Sequence, residues 1–313
     1  ALSVTALVAG TKVPLTEKYF PDENFREYVK QFDTNENGWL SQKERDAVTE
    51  INVLRMEITS VKGIEYFQNL EVLSCGYNNL TKLDVSNNTK LIYLDCSYND
   101  LEKIDVRKNT KIKELYCYKT LITNLDVKVN KKLEELCCFG NKLTTLNVSK
   151  NIKLKNLHCF NNELTELDVS KCAELEELLC YGNKLTELDV SRNTKLERLD
   201  CLENELTKLD VSNCTEIETL YCQTNQLTSL DVSNCPKLNT LYCYRNKLTE
   251  LDISNNYMLF AYFKCDENVK VTYPDYEDED KNFYPLPSDV DNKLIYKGVN
   301  LKWQRITKKW LKR

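Results

Sequence analysis

The stretch LEVLSCGYNNLTKLDVSNNTK at residues 70–90 decides the fold, because eight close copies follow it without a gap. The nine units end at residue 258 and share the consensus LxxLxCxxNxLTxLDVSxNxx. Positions 1, 4, 6, 11, 14 and 16 are apolar, and no single helix or strand places all six on one side. Each unit must therefore coil around them and stack on the next one, with parallel strands at about positions 3 to 7 that lie ~4.8 Å apart.

Incomplete repeats flank the regular ones. A decaying turn runs from Leu259 to about Cys265, and the turn before the regular units has apolar residues at repeat-like positions, namely Ile51, Val53, Ile58, Val61 and Ile64. We divide the chain into a leader or signal-peptide remnant (1–14), a helical cap (15–50), a solenoid (51–265) and an acidic linker with a basic terminal cap (266–313).

These units resemble the leucine-rich repeats of bacterial cell-surface proteins, especially those of gut anaerobes, and they are similar to internalins. The resemblance covers about two-thirds of the chain. It implies an α/β-type repeat solenoid: a right-handed coil, mostly β and loop, with a parallel β-sheet on its concave face and a small helical N-terminal cap. It also implies adhesion or host contact.

Composition excludes several classes of function. The formal net charge is −5, and 42% of residues are hydrophobic, which is typical of a folded chain. No basic domain precedes the last twenty residues, so we expect no nucleic-acid partner. No apolar run reaches the roughly 20 residues of a membrane-spanning helix.

The fourteen cysteines are not spaced like a disulfide scaffold. Nine of them recur at position 6: Cys75, Cys96, Cys117, Cys138, Cys159, Cys180, Cys201, Cys222 and Cys243. Copies about 4.8 Å apart with parallel Cβ directions would strain a disulfide, and closely spaced Cys/His pairs for zinc are missing. We expect buried free thiols that pack as small apolar groups, in an organism living where oxygen is scarce.

Two polar positions also repeat. Position 9 is Asn in eight units and Thr120 in the other, and an inward amide there can bond to turn backbone groups. Position 15 is Asp in eight units, such as Asp84 and Asp189. We interpret that row as Asx-type turn caps; the alternative is a metal-binding carboxylate ladder.

The N-terminal cap contains an EF-hand-like calcium loop. PDENFREYVKQF, residues 21–32, predicts a short amphipathic helix, and a second helix is expected from about Ser41 to Thr49. Between them, DTNENGWLSQKE matches the spacing of the calcium loop, with Gly38 at its sharp turn. The predicted ligands of one weakly bound calcium ion are Asp33, Asn35, Asn37, Trp39 through its carbonyl, Ser41 and Glu44. A metal-free loop held by packing is the alternative.

The concave face is the predicted binding surface. Positions 5 and 7 carry many aromatic residues, with carboxylates on the rim, and exposed aromatic rows suit a protein or a glycan ligand. The alternative is that the rings only stabilise the ladder. The candidate ligand-binding residues are Tyr116, Tyr118, Glu135, Phe139, His158, Phe160, Glu177, Tyr181, Tyr221, Tyr242 and Tyr244.

We expect no enzymatic activity. His158 is the only histidine, and we expect it to lack a catalytic partner, because Cys159 points inward and no third orienting group is specified. Glu135 and Glu177 fall two repeats apart, about 9.6 Å, which is slightly wide for an inverting glycosidase.

The two ends of the chain leave alternatives open. Residues 1–10 suit the end of a signal peptide or an ordinary leader. From Asn292 onward there are eight basic and no acidic residues, which favours a terminal cap over a segment contacting a membrane or wall polymer. We expect a monomeric binding or adhesion protein, secreted by or attached to the surface of an anaerobic bacterium; the alternative is a structural spacer with no ligand of its own.

Overall fold

The computed structural model describes residues 12–259 and 262–274. Of the leader predicted at residues 1–14, residues 1–11 lie outside the described residues, as do the acidic run at 275–280 and the basic end from 292. Val13–Pro14 form a strand. Two short helices, α1 (Glu23–Val29) and α2 (Gln42–Asp46), precede the repeats, with 3₁₀ helices at Lys30–Phe32 and Ile64–Tyr66. No helix within the described residues has the length and apolar character needed to cross a bilayer.

Fifteen short strands make up the rest of the regular structure in the described residues. They are β1 Val13–Pro14, β2 Trp39–Leu40, β3 Glu50–Asn52, β4 Val72–Ser74, β5 Tyr93–Asp95, β6 Glu114–Tyr116, β7 Glu135–Cys137, β8 Asn156–His158, β9 Glu177–Leu179, β10 Arg198–Asp200, β11 Thr219–Tyr221, β12 Thr240–Tyr242, β13 Glu250–Asp252, β14 Tyr262–Lys264 and β15 Lys270–Thr272.

One parallel sheet of eleven strands carries the fold, as the repeat predicted. Strands β3 to β12 pair in chain order, and β14 extends the sheet beyond β12. The register is one repeat throughout these nine units, so that Leu136 pairs with Leu157 and Cys137 with His158. Residues one period apart are therefore neighbours.

The strands are shorter than predicted, three residues at positions 3 to 5. Three residues further on, position 8 has φ between 49° and 64° in every unit, although only two of the nine residues there are glycine. Hydrogen bonds between repeats nevertheless continue to that residue, as from Asn161 N to Tyr181 O at 2.8 Å. This ladder holds non-glycine residues in the left-handed region, which they otherwise avoid.

A continuous apolar core runs from the cap to the last turn, from Val13 to Val269. The position 6 cysteines lie in it, at most 1% exposed, and none of the fourteen cysteines forms a disulfide. The expectation of buried free thiols is confirmed. At the N-terminal end, Phe25 is fully buried, and the Phe32 ring lies 5.7 Å from that of Phe67.

The repeated polar residues satisfy backbone groups, which confirms both structural interpretations. Asn183 donates from Nδ2 to the carbonyls of Cys180 and Cys159, and its Oδ1 accepts from Leu164 N at 3.0 Å. At position 15, Oδ1 accepts from the backbone N–H two residues later in all nine units, as in Asp189 with Ser191 at 2.9 Å. The Asp row is a set of Asx turns.

The second helix of the cap is shorter than the predicted 41–49. It begins after Ser41, whose hydroxyl accepts from Glu44 N, while the Glu44 carboxylate accepts from Ser41 N. This capping box fixes its start. The helix ends at Asp46, because the chain must extend into β3 four residues later.

Candidate functional site

The concave surface is made of the outward residues of the sheet. Positions 3 and 5 of each strand point away from the core, and position 4 is buried, as in β8, where Leu157 is inaccessible and the residues on either side are partly exposed. Position 7 follows each strand and continues the same surface. Copies of each position lie side by side, so the concave face is a set of parallel columns.

Four aromatic rings form one continuous stack in the position 7 column. Ring centroids lie 4.3 Å apart between Tyr118 and Phe139, 4.1 Å between Phe139 and Phe160, and 4.2 Å between Phe160 and Tyr181, with interplanar angles of 11° to 12°. All four side chains are half-buried. Each inner ring has both faces covered by its neighbours, so it presents its edge to solvent.

The stack continues toward the N-terminus through residues that sequence reasoning missed. Tyr98 meets Tyr118 edge to face at 5.6 Å and stacks on Tyr77 at 4.2 Å. The guanidinium of Arg55 lies 4.5 Å from the Tyr77 ring centre. Tyr77 and Tyr98 belong to position 8, and the left-handed backbone there is the reason that their rings join the neighbouring column.

The remaining predicted aromatic residues form separate groups. The ring centroid of Tyr116 lies 5.3 Å from that of Tyr93. Tyr93 was not among the predicted residues. Tyr221, Tyr242 and Tyr244 cluster further along, with centroids 5.2 Å and 6.4 Å apart. This last group is not in contact with the stack, because Leu202 and Gln223 occupy position 7 between Tyr181 and Tyr244.

His158 has partners on both sides, so the inference that it lacks them is wrong. Its Nε2 lies 2.8 Å from Glu177 Oε2 on β9, and its Nδ1 lies 3.3 Å from Cys137 Sγ on β7. Glu177 also pairs with Arg198 at 3.4 Å. These contacts cross four adjacent strands, β7 to β10. They could not be inferred from the sequence, because it does not show which way the His158 ring turns.

This row resembles a thiol nucleophile with its base, but the chemistry around it is unfavourable. Cys137 is 4% exposed, and burial together with the Glu135 carboxylate raises the pKa of its thiol far above the usual value. Catalytic cysteines need a lowered pKa and access to substrate. The nearby Cys138 N–H, a possible oxyanion donor, is bonded to His158 O at 2.9 Å. Burial, the raised pKa and the engaged N–H therefore do not favour nucleophilic attack by Cys137.

Most of the charged residues at positions 3, 5 and 7 of the nine units are carboxylates. Asp200 is only 6% exposed, and burial raises its pKa to about 6. A shallow hollow of about 320 Å³ lies at the N-terminal ends of β8 to β11. Acidic groups outnumber basic ones in its lining, which consists of Asn156, Glu176, Glu177, Glu197, Arg198, Glu218 and Thr219.

The six predicted calcium ligands lie together in one loop whose backbone has the expected turns. Gly38 has φ 81°, and Glu36 also lies in the left-handed region. The donor set is all oxygen, which calcium prefers. Both carboxylates are, however, engaged within the loop: Asp33 accepts from Gly38 N, and Glu44 accepts from five donors on Thr34, Asn35 and Ser41. These bonds lower the pKa of Glu44 to about 2, with Ser41 contributing most.

Comparison with known proteins gives related solenoids. No family model matches the chain. Internalin J of Listeria monocytogenes is 39% identical over 86 residues, which are 27% of this chain and 9% of that protein. The solved functional domain of internalin J, described as including a cysteine ladder, is 36% identical with a TM-score of 0.71, covering 85% of this chain and 64% of that one.

Two further solved structures share the fold. An internalin F structure from Listeria monocytogenes superposes with a TM-score of 0.72 at 22% identity and covers 87% of each chain. A leucine-rich-repeat protein of Leptospira interrogans gives 0.63 at 22% identity, over 73% of this chain and 69% of that one. The chain thus spans less than two-thirds of the internalin J domain and a small part of the whole internalin J protein.

Proposed function

We propose that this chain, an internalin-like leucine-rich-repeat solenoid, is a non-enzymatic module that binds a protein partner on its concave face. The observation that carries the proposal is the four-ring stack from Tyr118 to Tyr181. Half-buried aromatic side chains in a contiguous row, with charged residues beside them, are the usual anchors of protein interfaces. The relatives found by comparison support a binding role, because internalin-like repeat proteins are binding proteins.

A protein suits this stack better than a glycan does. Sugar rings bind aromatic residues by lying on the ring face, but the faces of Phe139 and Phe160 are covered on both sides at 4.1 Å to 4.3 Å. What remains is a strip of ring edges, whose positive rim favours contact with carbonyl oxygens and with the faces of a partner's aromatic side chains.

The test is a protein array probed with the whole chain and with the double variant Phe139→Ser/Phe160→Ser. The matched control is Val129→Ser/Ile152→Ser, which removes two exposed apolar side chains outside the concave columns. Proteins that bind the wild type and the control but not the concave variant support the proposal, provided that circular dichroism shows all three folded. If the concave variant retains every partner, the chain is a spacer whose rings serve only the ladder.

We further propose that the cap loop binds one calcium ion weakly, through Asp33, Asn35, Asn37, Ser41, Glu44 and the carbonyl of Trp39. The backbone turns and the oxygen donors support this. Since Glu44 must leave its present donors to reach a cation, we expect a dissociation constant of about 10⁻⁴ to 10⁻³ M. Calcium should raise the melting temperature of the wild type and leave that of Asp33→Ala unchanged; magnesium and potassium serve as controls.

Location is also part of the proposal. We place the chain in a secreted or surface-attached protein of an anaerobic bacterium, because its relatives are internalins and because all fourteen cysteines are unpaired. Antibody labelling of intact cells checks this location. Light scattering checks the expected monomer, whose mass is 36.6 kDa.

A further inference from the structure

The first half of the concave face carries an excess of carboxylates. On β3 to β9 the outward positions carry five carboxylates and no lysine or arginine; the five are Glu50, Asp95, Glu114, Glu135 and Glu177. Glu177 pairs with His158 and Arg198. Asp95, Glu114 and Glu135 lie between Glu50 and Glu177 on the sheet. Within the described residues, none of these three carboxylates forms a salt bridge.

Elsewhere the repeats neutralise carboxylates. At position 21, Lys195 lies 2.6 Å from Glu174 one repeat earlier, and Lys237 lies 2.6 Å from Glu216. At position 10, Lys184 meets Glu163 at 3.2 Å. In these three pairs, a lysine at the same position of the next repeat neutralises the glutamate. At position 3, by contrast, Glu114 and Glu135 are register partners, and like charges directly opposite each other destabilise a sheet.

Two tyrosine rings lie among these carboxylates. Tyr93 and Tyr116 have centroids 5.3 Å apart at 40° and are both half-buried. The Tyr116 hydroxyl donates to Glu114 at 3.3 Å. Burial and the neighbouring Glu135 carboxylate raise the pKa of Tyr116 far above its usual value. Burial, Asp95 and Glu114 raise the pKa of Tyr93 to about 12, which keeps its ring neutral.

We propose that strands β5 to β7 bind an arginine-bearing segment of the protein partner, through Asp95, Glu114 and Glu135 as ion-pair acceptors and Tyr93 and Tyr116 as stacking surfaces. This inference rests on the proposed function and adds the chemistry of the partner. A guanidinium group is planar, lies on aromatic rings and forks onto carboxylates, so it satisfies both kinds of group at once. A lysine ammonium satisfies only the charge.

The neighbouring stack gives such a partner a second contact. Tyr118 follows Tyr116 by two residues and begins the four-ring stack. At about 3.3 Å per extended residue, positions 3 and 7 are ~13 Å apart, which a single extended or helical segment can cover. A partner segment with arginine on one side and apolar side chains on the other matches both columns.

The probe is a fluorescently labelled nona-arginine peptide, with nona-lysine as the comparison, titrated into the whole chain. The concave variant is Glu114→Gln/Glu135→Gln, and the matched control is Glu166→Gln/Glu187→Gln, which makes the same charge change at exposed residues outside the strands. We expect the concave pair to weaken nona-arginine binding about tenfold or more, as loss of close charge pairs does at interfaces, and the control pair to leave it nearly unchanged. Equal losses in both, or no binding by the wild type, would overturn the proposal.

A second arm tests the stacking and a third tests the fold. Tyr93→Leu should reduce the preference for nona-arginine over nona-lysine, because only the Tyr116 ring remains for stacking. An unchanged preference contradicts the stacking role. If the carboxylates were structural, the glutamine pair would lower the melting temperature, whereas release of like-charge repulsion predicts no decrease. Should the pair unfold, the single variants provide the same comparison.

The outcome is separable from that of the proposed function. If partners captured on the array require Phe139 and Phe160 but bind the glutamine pair normally, the arginine inference alone fails. If captured partners bind the Phe139→Ser/Phe160→Ser variant as well as they bind the wild type, the proposed function fails, whether or not nona-arginine binds.

Discussion

The Phe139 and Phe160 rings stack 4.1 Å apart at 11°, although 21 residues separate them in the chain. Cys137 and His158, each two residues before one of these rings, are paired in the sheet. The ring contact therefore follows from the one-repeat register. This pair is both a product of the solenoid and the centre of its candidate binding surface, and stability and binding can be measured on the same side chains.

The stack should contribute to stability in proportion to the contacts that each ring makes. Phe160→Leu removes two ring pairs and Tyr181→Leu removes one. At about 0.5–1.5 kcal/mol per aromatic pair, we expect Phe160→Leu to lower the free energy of unfolding by ~1–3 kcal/mol and Tyr181→Leu by roughly half as much. Urea denaturation measures both. Equal losses would mean that the rings contribute only by burial.

Position 19 should accept cysteine in place of asparagine. Asn193 donates from Nδ2 to Val169 O and Cys172 O, but its buried Oδ1 has no partner. Cys172 and Cys214 occupy the same position in the adjacent repeats, and Cys214 Sγ donates to Val190 O at 3.7 Å. The position needs a donor rather than an acceptor.

Asn193→Cys is therefore expected to change the free energy of unfolding by less than about 1 kcal/mol. Asn193→Ala removes both side-chain hydrogen bonds to buried carbonyls, which keep only their backbone donors Cys172 N and Leu175 N, and should cost roughly 1–3 kcal/mol. Asn193→Asp should be worse still, because it buries an ionised group that has no donor. Thermal and urea unfolding of the three variants rank them. If Asp proved milder than Ala, the need for a donor would be disproved.

Asp200 should make stability depend on pH in a defined window. Burial raises its folded pKa from 3.8 to about 6, so between these values the folded chain holds a proton that the unfolded chain has released. The contribution of this residue to the free energy of unfolding therefore falls as pH rises from about 4 to 6. Asp200→Asn removes that loss while its Oδ1 can still accept from Leu202 N.

We expect the Asn variant to be more stable than the wild type at pH 7, by on the order of 2 kcal/mol, and nearly equal to it at pH 3.5. Urea denaturation at both pH values tests this. A variant that is less stable at pH 7 would show that Arg198 and the backbone favour the charged carboxylate more than burial opposes it.

The thiols should be protected until the chain unfolds. All cysteines except Cys265 are buried, and burial raises the pKa of each position 6 thiol. Iodoacetamide should therefore label the native chain at Cys265 first and all fourteen sites in guanidinium chloride. Intact-mass spectrometry counts the labels. Rapid native labelling of Cys138 or Cys159 would contradict their place in the core.

Much of the fold was predictable, because residues that are one 21-residue period apart in the sequence are neighbours in the structure. The register, the Asn and Asp rows and the buried thiols all follow from one 21-residue unit. The left-handed backbone at position 8 was not predictable, since nothing in Tyr77 or Thr224 signals a positive φ. Of the candidate site, the position 7 aromatic column was evident; the partners of His158 were not, because they depend on side-chain orientation across strands.

The central claim is that the concave face is the binding face, and hydroxyl-radical footprinting with a captured protein partner tests it most directly. We predict that the partner reduces oxidation of Tyr118, Phe139, Phe160 and Tyr181 and leaves Ile152 and Met258, both exposed outside the concave columns, as reactive as before. Protection of Ile152 and Met258 with undiminished oxidation of the four stacked rings would contradict the account.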